Sequence, residues 1–226
     1  LVRRVMYELP LFPLNLVLFP MQSLALHIFE ERYKTMIQHC IDTDGPFGVV
    51  LLEQGAAEEG RSRVDSKPRM IGCTAHISQV QQLGDGRMNI IVVGRERFRI
   101  HEFVLDKPYL AGYVENLPQQ DLDVLTSEPL ISGLKRSMTR YLKVLEKAGR
   151  IQPGARKMPN DPQTLGSLAA VMLHDISLVQ RQALLEAETL HGMFTELQTL
   201  YRREIVLLEA MLTEPGDDQI APFSAN

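Results

Sequence analysis

Apart from one helical stretch at 30–42, the hydrophobic period of this chain changes at Pro118 and does not change back. Up to Pro118 the apolar residues alternate or gather in short runs; beyond it they recur every three or four residues. Alternation suits a half-buried strand, and three-to-four spacing suits one face of a helix. A βαβ array would interleave the two patterns. A single switch instead points to an α+β protein, a β-rich part followed by a helical part.

Residues 7–117 read as about six strands and one helix. The run LPLFPLNLVLF at 9–19 is punctuated by prolines, which lack an N–H, so its strands belong at an edge or at a strand start. Leu24, Leu26 and Ile28 form a second strand, and FGVVLL at 47–52 a buried one. Tyr33, Met36, Ile37, Cys40 and Ile41 share one helix face. Gln54–Pro68 is small, charged and turn-rich, the signature of a mobile loop. Met70–Leu83 is a strand whose alternation slips at Val80, which places a bulge near Ser78–Gln79. Gly84–Asp85–Gly86 is a hairpin turn. Met88–Gly94 and Arg95–Val104 follow, with Gly94 marking a second bulge, and Tyr109–Leu117 closes the series. Short strands joined by glycine turns predict a compact barrel or closed sheet.

Residues 118–213 read as about four helices that must pack on one another or on the sheet. Pro129 sits in the first turn of the first, followed by Leu130, Leu134, Met138, Tyr141, Leu142 and Leu145. Asp161–Pro162 reads as N-cap and first position of the next. Leu178–Leu190 is the third. Met193–Leu212 is the last and carries Leu197, Leu200, Tyr201, Leu207, Leu208 and Met211. Residues 214–226 read as a flexible tail.

Composition removes several function classes. Hydrophobic residues make up 45% of the 226, too many for a disordered chain. Against 28 Asp+Glu stand 24 Lys+Arg, a net charge of −4, without the basic excess of a dedicated nucleic-acid binder. Leu9 to Phe29 carries no Asp, Glu, Lys or Arg, but Pro10, Pro13 and Pro20 rule out a membrane helix, and no signal-peptide pattern is present. Cys40 and Cys73 lack ligand spacing, so no metal site is expected; as small buried hydrophobes they fit a reducing, cytoplasmic compartment. No P-loop, GxGxxG, HExxH or GxSxG motif occurs, so no cofactor and no catalytic residue are expected. The pairs Glu58/Glu59 and Asp121/Asp123 read as solvated loop charges.

Several blocks occur in an order that resembles a known family: LPLFPLNLVLFP at 9–20, LALHIFEERYKTMI at 24–37, FGVVLL at 47–52, IGCTAHI at 71–77, RMNIIVVGRERFRI at 87–100 and MPNDP at 158–162. Together they look like the N-terminal, substrate-binding domain of Lon (La) ATP-dependent proteases, over roughly residues 7–212. The resemblance implies a PUA-like β-barrel followed by a helical subdomain. It also implies a stand-alone domain without the ATPase and Ser–Lys peptidase modules, hence a non-enzymatic one, because the chain stops soon after Pro215.

The expected function is a protein- or peptide-binding module that takes unfolded or tagged segments, within a protease system. Such a role requires an exposed apolar surface. Met36, Met138, Met172 and Met211 belong to helix core faces, which leaves Met21, Met70 and Met158 as surface candidates, with Glu31 and Arg32 as a polar rim. The alternative is RNA binding by a PUA-like barrel, an analogy of fold only. Strand alternation puts Arg95, Arg97 and Arg99 on one face, where they would meet phosphates. A solvated strand face with cross-strand ion pairs explains the same three arginines more simply.

Overall fold

In a computed structural model, residues 5–52, 67–119, 124–154 and 157–213 are described. The expected loop Gln54–Pro68 falls almost entirely outside them, as does the tail 214–226.

One 17-residue strand organises the sheet. The elements run β1 (Met6–Leu14), β2 (Ser23–Ile28), α1 (Glu31–Asp42), β3 (Phe47–Leu51), β4 (Ile71–Gln82), β5 (Met88–Val104) and β6 (Ala111–Asn116), then α2 (Val124–Lys147), α3 (Pro162–Met172), α4 (Leu178–Glu186) and α5 (Leu190–Thr213). Strand order is β2-β5-β4-β3-β1-β6, and β5 also pairs with β6. The ladders that leave β5 through β4, β3 and β1 therefore return to it through β6. β5 serves two partners in turn: Met88–Val93 lie against β2, and Phe98–Val104 against β6. The sequence pattern treats β5 as two strands, because Gly94 interrupts its alternation.

The prolines of β1 are accommodated by the same division. Met6–Pro10 pair only with β6, antiparallel, and Leu11–Leu14 only with β3, parallel. Each half of β1 thus has one neighbour, and a proline without an N–H leaves no ladder position unfilled on the open side. The strand stops at Leu14, short of the expected Phe19. Residues 15–19 leave the sheet because they supply two cores: Leu18 packs with the α1 side of the sheet, whereas Val17 and Phe19 are buried among the helices.

The bulge expected near Ser78 is present. Ile77 faces Val92 and Gln79 faces Ile91, so Ser78 is extra, and its hydroxyl donates to the Ile91 carbonyl at 2.9 Å. A second irregularity lies opposite Thr74, where β5 carries the additional residues next to Gly94. The hairpin turn at 84–86 closes with Leu83 N–H donating to Arg87 O at 2.8 Å, and Gly86 has a φ of 78°.

The helical part is built on α2 and α5. Tyr141 and Tyr201 meet edge to face at 5.3 Å, both fully buried, and the Tyr201 hydroxyl donates to Ala169 O of α3 at 2.8 Å. Asp161 caps α3 as its sequence suggests, accepting from Thr164 N–H at 2.7 Å, and Pro162 follows at the first position. Two placements differ from the sequence pattern. Pro129 lies inside α2, which begins at Val124, rather than in its first turn. The buried stripe of α5 runs through Leu197, Leu200, Tyr201, Ile205 and Leu208, so Leu207, off that stripe, and Met211, past its end, are exposed. Three-to-four spacing marks a face, but only a partner helix decides how far along it burial extends.

Sheet and helices are tied by polar contacts as well as by Val17, Phe19 and Leu51. Gln182 Nε2 of α4 donates to Ile71 O of β4 at 2.9 Å. Arg97 Nη1 of β5 donates to Leu185 O at 2.6 Å and Ala187 O at 2.7 Å, at the C-terminal end of α4 where unpaired carbonyls need donors.

Candidate functional site

A cleft of about 480 Å³ opens where the sheet meets the helices. One wall is the turn Phe19–Pro20–Met21. Gln22 N–H donates to Phe19 O, and Gln22 Oε1 accepts from Phe19 N–H at 3.0 Å. The turn is pinned to β5 by two backbone bonds at Gly94: Met21 N–H to Gly94 O at 2.8 Å and Gly94 N–H to Gln22 O at 2.9 Å. Gly94 permits this approach, because a Cβ there would collide with the Phe19 carbonyl. Met21 has a φ of 65°, the left-handed region that a side chain seldom adopts, and it is 57% exposed at the mouth of the cleft.

The next wall is β5 just past Gly94. Thr74, buried, accepts the Glu96 N–H on its hydroxyl at 3.0 Å and so satisfies the backbone that the bulge frees. The irregularity breaks the alternation from 95 to 99: Arg95, Glu96 and Arg99 are exposed, while Arg97 and Phe98 are buried. The expectation of three arginines on one open face is therefore corrected. Arg97 is only 7% exposed beneath the end of α4, and burial lowers the pKa of its guanidinium from the ordinary value. It is not available to phosphates along an open strand, and among the described residues no cross-strand ion pair of Arg95, Arg97 or Arg99 explains the trio. The Arg97 Nη2 atom is buried without a hydrogen-bond partner.

The remaining lining comes from Asn116, Leu117, Pro118 and Gln119 after β6, from Asp161, Gln163, Thr164 and Ser167 at the start of α3, from Leu184 and Leu185 of α4 and from Met193 of α5. Gln119 Nε2 donates to Ala187 O at 3.3 Å, which joins the segment after β6 to α4. Both carboxylates of the cleft are engaged. Asn116 Nδ2 donates to Glu96 Oε2 at 2.7 Å, and Asp161 accepts from the Thr164 N–H and hydroxyl, which lowers its pKa from the usual carboxylate value.

Of the residues singled out by sequence, the structure brings Met21, Arg95 and Arg97 together in this cleft. Met70, 43% exposed, lies outside it, its carbonyl accepting the Ile100 N–H. Glu31 pairs with Lys34 at 2.7 Å, and Arg32 pairs with Glu30 at 2.8 Å while covering the Tyr33 ring, all around the start of α1. Met158 is half-buried against the helical core rather than free on the surface. Arg99 is exposed but does not line the cleft. The lining from Asn116–Gln119, α4 and Met193 was missed. The cap at Asp161 signals where α3 starts, but no local pattern says that this helix start faces residue 21.

Chemically the cleft is a receptacle, apolar with a few polar groups. Among the described residues no three His, Cys, Asp or Glu side chains gather as metal ligands, and no helix is long and apolar enough to cross a membrane. Cys40 and Cys73 are buried elsewhere in the sheet core, their thiols pushed up by desolvation to about 11 and about 12.

The fold is thus an α+β one, a mixed sheet joined to helices with a cleft of about 480 Å³ between them. The chain matches the family described as the ATP-dependent protease La (LON) substrate-binding domain over residues 8–200, and it belongs to that family. It is 28% identical over 216 residues to Lon protease 2 of Herpetosiphon aurantiacus, covering 89% of this chain and 24% of the relative. With Lon protease of Cytophaga hutchinsonii it shares 29% over 206 residues, covering 89% and 25%. The chain thus spans about a quarter of the length of these relatives. Among solved structures it resembles the Lon N-terminal domain protein of Xanthomonas campestris, with a TM-score of 0.60, 25% identity and coverage of 85% of this chain and 98% of that one. The N-terminal domain of the Mycobacterium avium complex Lon protease shares the fold, with a TM-score of 0.61 at 13% identity, covering 87% and 98%.

Proposed function

We propose that this chain takes extended or unfolded stretches of other polypeptides into the cleft between sheet and helices and performs no chemistry on them. The observation that carries this is the cleft itself, walled by Phe19, Met21, Leu184, Leu185 and Met193, in a member of the LON substrate-binding domain family. The flexible thioether of Met21, exposed at the cleft mouth, suits side chains of varied shape. Burying two apolar side chains there gains roughly 3–6 kcal/mol before ordering costs are subtracted. The resulting binding is weak and reversible, as sampling of many sequences requires.

In the finer architecture we propose, the circuit of ladders through β5 is a PUA-like β-barrel spanning 7–117, and α2–α5 form a helical bundle within 118–213. A protease system would act on the bound segments. The two free, buried cysteines fit a reducing cytoplasm.

The test is anisotropy titration with a reduced, carboxymethylated and hence permanently unfolded protein. Met21→Glu should weaken binding about fivefold or more, since it replaces apolar area at the cleft mouth with charge. Met70→Glu, outside the cleft, should not. Equal affinity for Met21→Glu and the unaltered chain would remove the cleft as the site.

A further inference from the structure

The sheet has one edge that nothing blunts. Strand order ends at β2, whose only partner is β5, and the register from Ser23↔Val93 to Ile28↔Met88 is unbroken. Gly94 N–H donates to Gln22 O. By alternation Leu24, Leu26 and Ile28 turn their N–H and C=O groups to β5, and Ser23, Ala25 and His27 turn theirs away from it. The Ile91 carbonyl fits this phase: it faces β4, where Ser78 donates to it. Among the described residues no other strand or loop bonds to the outward groups. The other open edges are spoiled for pairing. β1 carries Pro10 and Pro13, and β4 past its pairing with β3 carries the bulge at Ser78. β2 has no proline, no bulge and no Lys, Arg, Asp or Glu. Its Leu24 and Leu26 are only half-buried against the α1 side of the core. On the opposite face Ala25 and His27 border a hollow of about 450 Å³ that Gln79, Asn89 and Ile91 also line.

We propose that β2 is a second polypeptide-docking surface, at which an extended segment of another protein adds itself to the sheet as a further strand. The proposal rests on the peptide-binding function above for the class of ligand and places it elsewhere. Unpaired N–H and C=O groups in strand conformation match the backbone of any extended chain, which suits stretches of varied sequence. Alternate apolar side chains of the segment complete the cover of Leu24 and Leu26, and those between them lie over Ala25 toward Ile91. A second copy of the chain is the poorer occupant, because a pair of six-residue strands buries well short of the ~1,000 Å² that a stable dimer needs.

The test is amide hydrogen exchange, read by NMR, with an excess of the blocked octapeptide Lys-Thr-Val-Thr-Val-Thr-Val-Lys. Exchange at Ser23, Ala25 and His27 should slow about tenfold or more, whereas Leu24, Leu26 and Ile28, already bonded to β5, should change little. The same peptide N-methylated at every backbone amide should bind about tenfold or more weakly by anisotropy, since it keeps its side chains and loses its donors. Ala25→Pro should weaken binding about fivefold and keep Tm, because its N–H faces away from β5. The exchange measurement needs no variant and decides the matter whether or not that chain folds. Binding that leaves the three amides unprotected, or equal affinity for the N-methylated peptide, would overturn the proposal. Protection that grows with protein concentration in the absence of peptide would overturn it too, by making a second copy the occupant. No binding of the octapeptide, alongside Met21-dependent binding of the unfolded protein, would overturn strand addition and leave the cleft function intact. Failure of both titrations would overturn both.

Discussion

Alanine at Gly94 tests how tightly the cleft wall is pinned to the sheet. An added Cβ overlaps the Phe19 carbonyl oxygen outright and lies 3.1 Å from its carbon and 3.2 Å from Cys73 Sγ. Neither obstacle is the loose end of a flexible side chain: one is backbone, the other a fully buried thiol. The turn must move away from β5, and the bonds from Met21 N–H and to Gln22 O, 2.8 and 2.9 Å long, must lengthen. Overpacking costs about 1–3 kcal/mol, and two weakened backbone bonds add about 1 kcal/mol, giving roughly 3 kcal/mol in all. In a chain of this size that lowers Tm by about 6–12 °C. Gly84→Ala is the matched control, since its Cβ meets nothing within 4 Å and its φ is not positive. Scanning calorimetry of the two variants, followed by the unfolded-protein titration, decides the matter. Gly94→Ala should melt lower and bind more weakly, because the displaced turn carries Met21. Equal Tm values for the two variants would refute the pinning.

Two further outcomes follow from the polar groups. Cys40 and Cys73 are held at about 11 and about 12 against an ordinary 9.0, so they keep their protons more firmly when folded. Their contribution to stability is complete below pH 9 and is lost as pH rises towards those values. The urea-midpoint difference between the native chain and the Cys40→Ala/Cys73→Ala variant should therefore shift against the native chain between pH 9 and 11; a pH-independent difference contradicts the burial of the thiols. Asp161→Ala removes the α3 cap, with an expected loss of about 1 kcal/mol, or about 2–4 °C in Tm. Because Thr164 holds the Asp161 carboxylate below its usual range, the effect should be present at neutral pH and fade as the pH falls through the folded-state value. An undiminished effect at pH 2 would count against the cap.

Where a feature depends on neighbours in the chain, the residues announced it. The slip in alternation at Val80 marks the bulge at Ser78 because period two is a local property. Asp161–Pro162 marks the start of α3 because capping needs only the next three residues. The change of period at Pro118 separates strands from helices for the same reason. The family resemblance added the likeness to a substrate-binding domain, which no periodicity contains.

Other features were decided by contacts far apart along the chain. Arg97 reads as an outward-facing strand arginine until α4 arrives, and its bond to Leu185 O spans 88 positions. β1 tolerates two prolines because it changes partner after Pro10, a consequence of how β3 and β6 flank it. The cleft draws on residues from Phe19 to Met193. Sequence alone determined which segments form strands or helices and in what order, since those preferences are set within a few residues. Tertiary packing alone decided which charge would be buried and which methionine would stand at the mouth of the cleft, since burial is conferred by partners that no local pattern records.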